Sequence, residues 1–240
     1  MEQVALWRRL LAELLGSAFL ATIVVGSGIA VQQLSPGNVG LELLENALAT
    51  GAGLVAIILT FGAVSGAHFN PVVSLVDAAF GGITWRDAAA YVPTQVLGCM
   101  GGAVLANAMF ALPAVSISTH DRVSGPHLLA EVVATVGLLL VIFALARSGR
   151  SAVTPAAVGL YITAAYFFTS STSFANPAIT VGRTLSNSFA GIAPSSAPAF
   201  IVAQLVAALL AVGLIRALFP GLTAHEAETL LTTRYEQGAQ

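Results

Sequence analysis

The stretches "HFNPVVS" (residues 68–74) and "SFANPAIT" (residues 173–180) each place an Asn-Pro pair inside a strongly apolar region. Asn is a favoured N-cap and Pro is favoured at the first helical position, so each pair predicts the start of a helix. The segments that follow, 70–80 and 176–188, are too short to cross a bilayer, since ten helical residues rise about 15 Å of a core of about 30 Å. Two such half-helices that enter from opposite faces would meet near the midplane.

The composition indicates a membrane protein with several spans. Of the 240 residues, 57% are hydrophobic and only 8% are charged, and the mean hydropathy is +0.88. These values predict an all-α membrane protein. With a net charge of −2, no nucleic-acid partner is expected. The single Cys99 excludes an internal disulfide, and no pattern of His, Cys or carboxylates predicts a metal or cofactor site.

Six apolar segments are each near the ~20 residues that a helix needs to cross a bilayer. They are residues 6–31, 41–62, 87–111, 128–147, 152–169 and 198–219. The first is too long for the apolar region of a cleaved signal peptide, so we expect it to remain as a span. The whole chain, 1–240, is therefore predicted to be one transmembrane domain.

Basic residues predict the orientation of these spans. With both termini in the cytoplasm, seven arginines lie inside and two outside, as the positive-inside rule requires of a multi-pass protein of the cell membrane. The inner arginines are Arg8, Arg9, Arg86, Arg147, Arg150, Arg216 and Arg234, and the outer ones are Arg122 and Arg183.

The two halves of the chain, about 1–112 and 113–222, form an inverted repeat. Three polar residues recur in the same order in each half: Glu13, Asn70 and Gln95, then Glu131, Asn176 and Gln204. Each half holds three spans, and an odd number forces the second half into the opposite orientation. Inverted repeats of this kind place their sites at the midplane, where interrupted helices point their ends inward.

The polar residues near the breaks have predicted roles. The side-chain oxygens of Asn70 and Asn176 would cap their helices, which leaves two amide donors facing a lumen, while the positive helix ends repel cations. Glu13 and Glu131 would accept hydrogen bonds from irregular backbone beside the half-helices, or else be neutral near the interface. Two roles stay open for three further residues. Gln95 and Gln204 either line the lumen or bond between helices, and His68 either presents a lumen-facing nitrogen or has a capping or packing role in its loop.

Taken together, "SGAHFNPVVS" and "SFANPAIT" resemble the two signature loops of the aquaporin (major intrinsic protein) family. The resemblance covers about residues 5–220. It implies six transmembrane helices and two re-entrant half-helices, assembled as a homotetramer with one pore in each subunit. The midplane residues that it implies are Asn70, Pro71, Val72, Asn176, Pro177 and Ala178. Val72 departs from the Ala that is usual in the first motif.

The outer constriction departs further from the family pattern. Ile179 stands where an Arg commonly follows the second Asn-Pro-Ala motif, Ser173 lies six residues before it, and the second-span position is Thr50. The fifth-span position is either Ala164, by counting back from Asn176, or Tyr166, by aligning Gly159. This set predicts a wider or less polar filter.

Arg183 lies four residues after Ile179, about one turn outward on the same helix face. Two roles stay open for it. Its side chain would reach the outer mouth, or it would form a salt bridge or extend to the membrane interface.

The predicted function is a passive channel for water and small neutral solutes such as glycerol-like polyols or arsenite-like metalloid acids. The alternatives are an energised secondary transporter, which would need titratable residues on its path, and a non-conducting structural member of the same fold. No nucleophile–base pair or cofactor loop is visible, so an enzyme is not expected.

Overall fold

The structure is a computed structural model that describes residues 4–220. Within this part the chain forms eight α-helices, here numbered α1 to α8. They are Leu6–Leu34, Val39–Ser65, Pro71–Phe80, Trp85–Met109, Gly125–Arg147, Thr154–Phe168, Pro177–Gly182 and Ala197–Leu218. Arg234 and the last two residues of the predicted second repeat lie outside the described residues.

Six of the described helical segments are long and apolar enough to cross a membrane, with mean hydropathies between 1.3 and 2.7. A 3-10 turn at Ser151–Val153 precedes α6 and completes the fifth of them. The two shortest helices, α3 and α7, begin at the prolines of the Asn-Pro pairs. The predicted all-α fold of six spans and two half-helices is confirmed, and the chain is a multi-pass membrane protein.

The second half-helix is shorter than the predicted segment 176–188. α7 ends at Gly182 and continues only as a 3-10 turn, Arg183–Leu185. Beyond the 3-10 turn, the backbone carbonyls of Thr184 and Leu185 accept hydrogen bonds from the loop between α4 and α5 rather than from a further helical turn. Ser116 N donates to Leu185 O at 3.0 Å, and Ser118 N donates to Thr184 O at 2.9 Å.

The long helices pack in pairs that repeat between the halves of the chain: α1 lies against α4, and α5 lies against α8. The pair α2 and α6 joins the halves. Here two backbones come so close that a Cβ on Gly159 would lie 2.6 Å from Gly51 O. Small residues at such crossings let membrane helices approach closely. The packing leaves α3 and α7 enclosed between the long helices.

Candidate functional site

Both Asn-Pro pairs form helix N-termini, as the sequence predicts. Asn70 Oδ1 accepts a hydrogen bond from Val72 N at 3.1 Å. Asn176 Oδ1 accepts from Ala178 N at 2.9 Å and from Ile179 N at 3.3 Å. The asparagines adopt extended backbone conformations while the following prolines start the helices, which is the geometry of an N-cap.

The two caps also bond to each other's loops. Asn70 Nδ2 donates to Ala175 O at 2.8 Å, and Asn176 Nδ2 donates to Phe69 O at 2.8 Å. The sequence predicts that these amide groups face a lumen. That expectation is corrected in part, because one hydrogen of each NH2 group links the two half-helices and leaves only the second free for a solute.

The loops before the two caps have the same irregular backbone. Ala67 and Phe69 have φ values of 52° and 48°, and the matching Ser173 and Ala175 have φ values of 50° and 47°. Left-handed backbone costs a non-glycine residue roughly 1–2 kcal/mol. In a membrane such backbone occurs only where protein or a cavity covers it. All four residues line a cavity.

Glu13 holds the first of these loops. Its carboxylate accepts four hydrogen bonds, from Ser65 Oγ at 2.6 Å, His68 N at 3.0 Å, Phe69 N at 2.8 Å and Gln95 Nε2 at 2.8 Å. The side chain is fully buried. Four donors around two oxygens match the acceptor-only, ionised form of the group. This arrangement disagrees with the alternative of a neutral carboxyl near the interface.

Glu131 holds the second loop in the same way. It accepts from Ser171 Oγ at 2.6 Å, Phe174 N at 2.9 Å, Ala175 N at 2.9 Å and Gln204 Nε2 at 2.7 Å. Gln204 also donates to Thr180 Oγ1 at 3.1 Å.

The two glutamines act between helices. Gln95 donates to Glu13 and, at 2.9 Å, to Ser74 Oγ, just as Gln204 donates to Glu131 and Thr180. Neither glutamine contacts the cavity. Of the two roles that the sequence leaves open, the structure therefore favours the hydrogen bond between helices.

His68 lines the cavity on the side of α3. Its Nδ1 lies 2.9 Å from Ser74 Oγ, and its Nε2 lies 3.6 Å from Asp77 Oδ2. Asp77 is also buried. The sequence interpretation overlooked this residue, although an acidic side chain within the apolar helix 71–80 was a usable signal. The His68 side chain has no accessible surface, so of its two open roles the structure favours the structural role in the loop over a lumen-facing ring.

The cavity runs beside both half-helices and has a volume of about 90 Å³. A single water needs roughly 10–15 Å³ of such space, so the cavity is large enough for more than one water. One wall is polar and comes from the two loops. The opposite wall is apolar and was not predicted, because isolated apolar positions in a span carry no signal of their own. Its residues are Leu20, Val24, Leu54, Ile58, Leu138, Ile142, Val158 and Ile162.

The six predicted midplane residues separate into two groups. Asn70 and Asn176 line the cavity, whereas the other four are buried behind them in the half-helices: Pro71, Val72, Pro177 and Ala178. The valine that departs from the family motif has no exposed surface. It therefore changes the packing between the half-helices and leaves the cavity wall unchanged.

Four of the predicted filter residues line the cavity: Thr50, Tyr166, Ser173 and Ile179. Thr50 Oγ1 and Tyr166 OH lie 3.2 Å apart and share a hydrogen bond. Ala164 was the alternative fifth-span residue, and the structure contradicts it. Ala164 is exposed on the outside of α6, two residues and about 200° around the helix from Tyr166.

Arg183 also lines the cavity and is only 2% exposed. Its guanidinium carbon lies 3.4 Å from the centre of the Phe174 ring, and its Nε donates to Ala190 O. Within residues 4–220, no carboxylate oxygen lies within 4.0 Å of its side-chain nitrogens. The alternative of a salt bridge or an interfacial position is therefore wrong for the described part of the chain.

Comparisons with known proteins agree with this geometry. The family model described as "Major intrinsic protein" matches residues 1–175. The chain is 48% identical over 216 residues to the aquaglyceroporin AqpS of Rhizobium meliloti (strain 1021), which covers 90% of this chain and 92% of that protein. It is 30% identical over 177 residues to the lens fiber major intrinsic protein of Rattus norvegicus, covering 70% and 65% of the two chains.

A solved structure has the same fold. The X-ray structure of the aquaglyceroporin from Plasmodium falciparum superposes with a TM-score of 0.71 at 19% identity and covers 91% of this chain and 98% of that one.

Proposed function

The chain belongs to the major intrinsic protein family, and from this premise we propose that it is a passive membrane channel for water and small neutral solutes. It is not an enzyme, since the members of this family are channels. The observation that carries the proposal is the cavity between the half-helices, where two capped helix N-termini meet beside a polar wall. Their positive ends disfavour cations at the midplane, while the free amide hydrogens serve a passing hydroxyl or water oxygen.

The solutes that we propose are polyols of the size of glycerol and uncharged metalloid acids such as arsenous acid, in addition to water. One wall of the cavity carries the oxygens and amides of the loops, and the opposite wall is aliphatic. A molecule with hydroxyl groups along one side and carbon or a metalloid on the other fits both walls. Ile179 adds a further aliphatic group to the cavity lining, from α7, which favours such a solute over water alone.

A passive channel agrees better with the titratable groups than an energised transporter does. The two mid-span carboxylates each accept four hydrogen bonds and do not contact the cavity. Among the described residues that line the cavity, His68 alone has a side chain that ordinarily titrates near neutral pH. We therefore expect flux that does not saturate and does not depend on a proton gradient.

Liposome shrinkage tests the proposal. The purified protein is reconstituted in liposomes, which are exposed first to an osmotic gradient that draws water out and then to gradients of glycerol and of arsenous acid. Light scattering measures the change in liposome volume in each case. Leu54→Trp fills the cavity from α2 and should abolish flux, whereas Leu59→Trp on the exposed face of the same helix should leave flux unchanged. Permeabilities equal to those of empty liposomes for all three solutes would overturn the channel proposal.

We further propose that the channel lies in the cell membrane as a homotetramer with both termini in the cytoplasm. The exposed surfaces of the long helices carry many large apolar side chains, which suits contact with lipid and with other subunits. Crosslinking in native membranes tests the tetramer, and proteolysis of intact inside-out vesicles tests the position of the termini.

A further inference from the structure

Two successive turns of the second half-helix region contact the outer end of the cavity. Ile179 lies in α7 and Arg183 begins the following 3-10 turn, four residues later, and both line the cavity. The Ile179 side chain is neutral and aliphatic, and the Arg183 side chain carries a permanent positive charge. The charge is therefore displaced outward by about one turn from the aliphatic group.

The guanidinium group of Arg183 is held by a rigid aromatic surface. Its carbon lies 3.4 Å from the ring centre of Phe174, a distance at which a cation is attracted to the face of the ring. The Phe174 ring packs edge-on against Phe200, with the ring centres 5.2 Å apart. The Phe174 backbone is fixed as well, since its N–H donates to Glu131 Oε1 at 2.9 Å.

The contacts of Arg183 leave part of its guanidinium group available to a solute. Its Nε donates to Ala190 O. Its two terminal nitrogens have no hydrogen-bond partner among residues 4–220. No neighbouring carboxylate in that part of the chain cancels the charge by direct contact. A guanidinium group that lines the cavity with free N–H donors and without a carboxylate in direct contact attracts solute oxygens and repels cations.

Arg122 provides a natural comparison, because its guanidinium carbon lies 5.5 Å from the centre of the same Phe174 ring. Two of its nitrogens are bonded to backbone, Nε to Gly191 O at 2.7 Å and one terminal nitrogen to Phe189 O at 2.9 Å. Arg122 does not line the cavity. Two arginines therefore share one aromatic ring, but only Arg183 presents its charge to the solute path.

We propose that Arg183 is the cation-rejecting residue of the outer filter, and that it lies one level outside a neutral ring of Thr50, Tyr166 and Ile179. This inference rests on the proposed channel function. Charge rejection and size selection then occur at two successive levels. The neutral ring admits solutes that a guanidinium group at position 179 would obstruct. Arg183 repels cations, so they do not pass along the same path.

A purely structural role of Arg183 predicts a different effect of its removal. If Arg183 only clamped the 186–196 loop through Ala190, its removal would lower stability and leave ion selectivity unchanged. The test must therefore measure ion leak and neutral solute flux on the same folded protein.

The decisive variant is Arg183→Gln, reconstituted in proteoliposomes beside the wild type, Arg183→Lys and the control Arg122→Gln. Sodium leak through R183Q, measured with an entrapped sodium indicator, should rise about ten- to a hundredfold. This is the factor that Coulomb's law gives for removing a unit charge if a cation passes at about 6 Å, with an effective dielectric constant of about 20–40. Glycerol flux should stay within about twofold, and R183K and R122Q should leak as little as the wild type.

Sodium leak of R183Q within twofold of the wild type, with glycerol flux retained, would overturn the inference. Equal leak in R183Q and R122Q would overturn it too, because the control charge lies off the path. If R183Q does not assemble, Arg183→Met keeps an apolar stem on Phe174 and gives the same comparison. Wild-type permeabilities to water, glycerol and arsenous acid equal to those of empty liposomes would instead refute the channel function, so the two failures are distinct.

Discussion

Glu131→Gln is the smallest change that tests how the second half-helix is held. The carboxylate presents one oxygen to Ser171 Oγ and Phe174 N, and the other to Ala175 N and Gln204 Nε2. Glutamine has the same shape, but one of its two positions is an NH2 donor. Whichever way the amide is turned, that NH2 group faces one of the two backbone N–H groups. One buried backbone donor must therefore lose its partner.

The expected cost follows from these contacts. A hydrogen bond to a charged group contributes about 1.5–3 kcal/mol, and a buried donor left without a partner costs about 1–3 kcal/mol more. Gln204 can rotate to present its oxygen to the new amide, but it then gives up its bond to Thr180 Oγ1. The total loss should be about 3–5 kcal/mol, which corresponds to a fall in melting temperature on the order of 10 °C.

The assay is thermal unfolding of the purified protein in detergent, and Glu42→Gln is the matched control. Glu42 is 7% exposed and its carboxylate has no hydrogen bond among the described residues, so E42Q should melt within about 1 °C of the wild type. The inverted repeat supplies a second check, since Glu13→Gln should cost about as much as E131Q. If E131Q melted as high as E42Q, the four hydrogen bonds would not be what holds the loop, and this reasoning would be refuted.

Three further changes test the filter and the helix packing. Ile179→Arg adds a guanidinium group to the cavity wall and should lower glycerol flux several-fold more than water flux in stopped-flow measurements; an unchanged ratio would show that this position does not set selectivity. Tyr166→Ala removes a ring from the cavity lining and should let a larger polyol such as xylitol pass. A xylitol permeability equal to that of the wild type would contradict a role of Tyr166 in size selection. Gly159→Ala would place a Cβ 2.6 Å from a carbonyl oxygen of α2 and should lower the melting temperature by several °C, whereas Gly101→Ala, with no atom within 4 Å, should not.

Most of the fold could be predicted because its signals are local. Segment length and hydropathy predict the spans, and the Asn-Pro pairs predict the half-helix starts to the residue. The matched order of Glu, Asn and Gln in both halves predicted an inverted repeat with a glutamate beside each half-helix, although the sequence could not say whether the glutamines face the lumen. That choice depends on contacts between residues far apart in the chain, such as Gln204 with Glu131.

The fifth-span filter residue could not be chosen by counting from the second motif. A count back from Asn176 needs a known loop length, and the loop turns irregularly through left-handed residues such as Thr172, with φ of 62°. An error of two residues rotates a helical position by about 200°. Counting back from Asn176 therefore indicates Ala164 on the outer face of the helix, whereas Tyr166 lies on the cavity wall. Alignment on Gly159 avoided the error because the glycine lies in the same helix.

The surroundings of Arg183 could also be predicted only in part from the sequence. Its spacing from Ile179 predicts the correct helix face. The sequence does not show that Phe174 would lie beneath the guanidinium group, because that ring is held by Phe200 on another helix and by the Glu131 carboxylate. Without this support a salt bridge was an equally reasonable expectation.

The two halves of the chain have closely similar hydrogen bonds around the half-helices, but they differ in the residues that line the proposed filter. The five hydrogen-bond distances that fix each loop, four to its glutamate and one to the opposite loop, differ by no more than 0.1 Å between the repeats. The side chain of Ile179 makes none of these bonds. Because the support of α7 does not depend on that side chain, position 179 can change from a cation to an aliphatic group without moving the helix. A positive charge then has to come from another residue on the same face, and Arg183 is the residue that lines the cavity there.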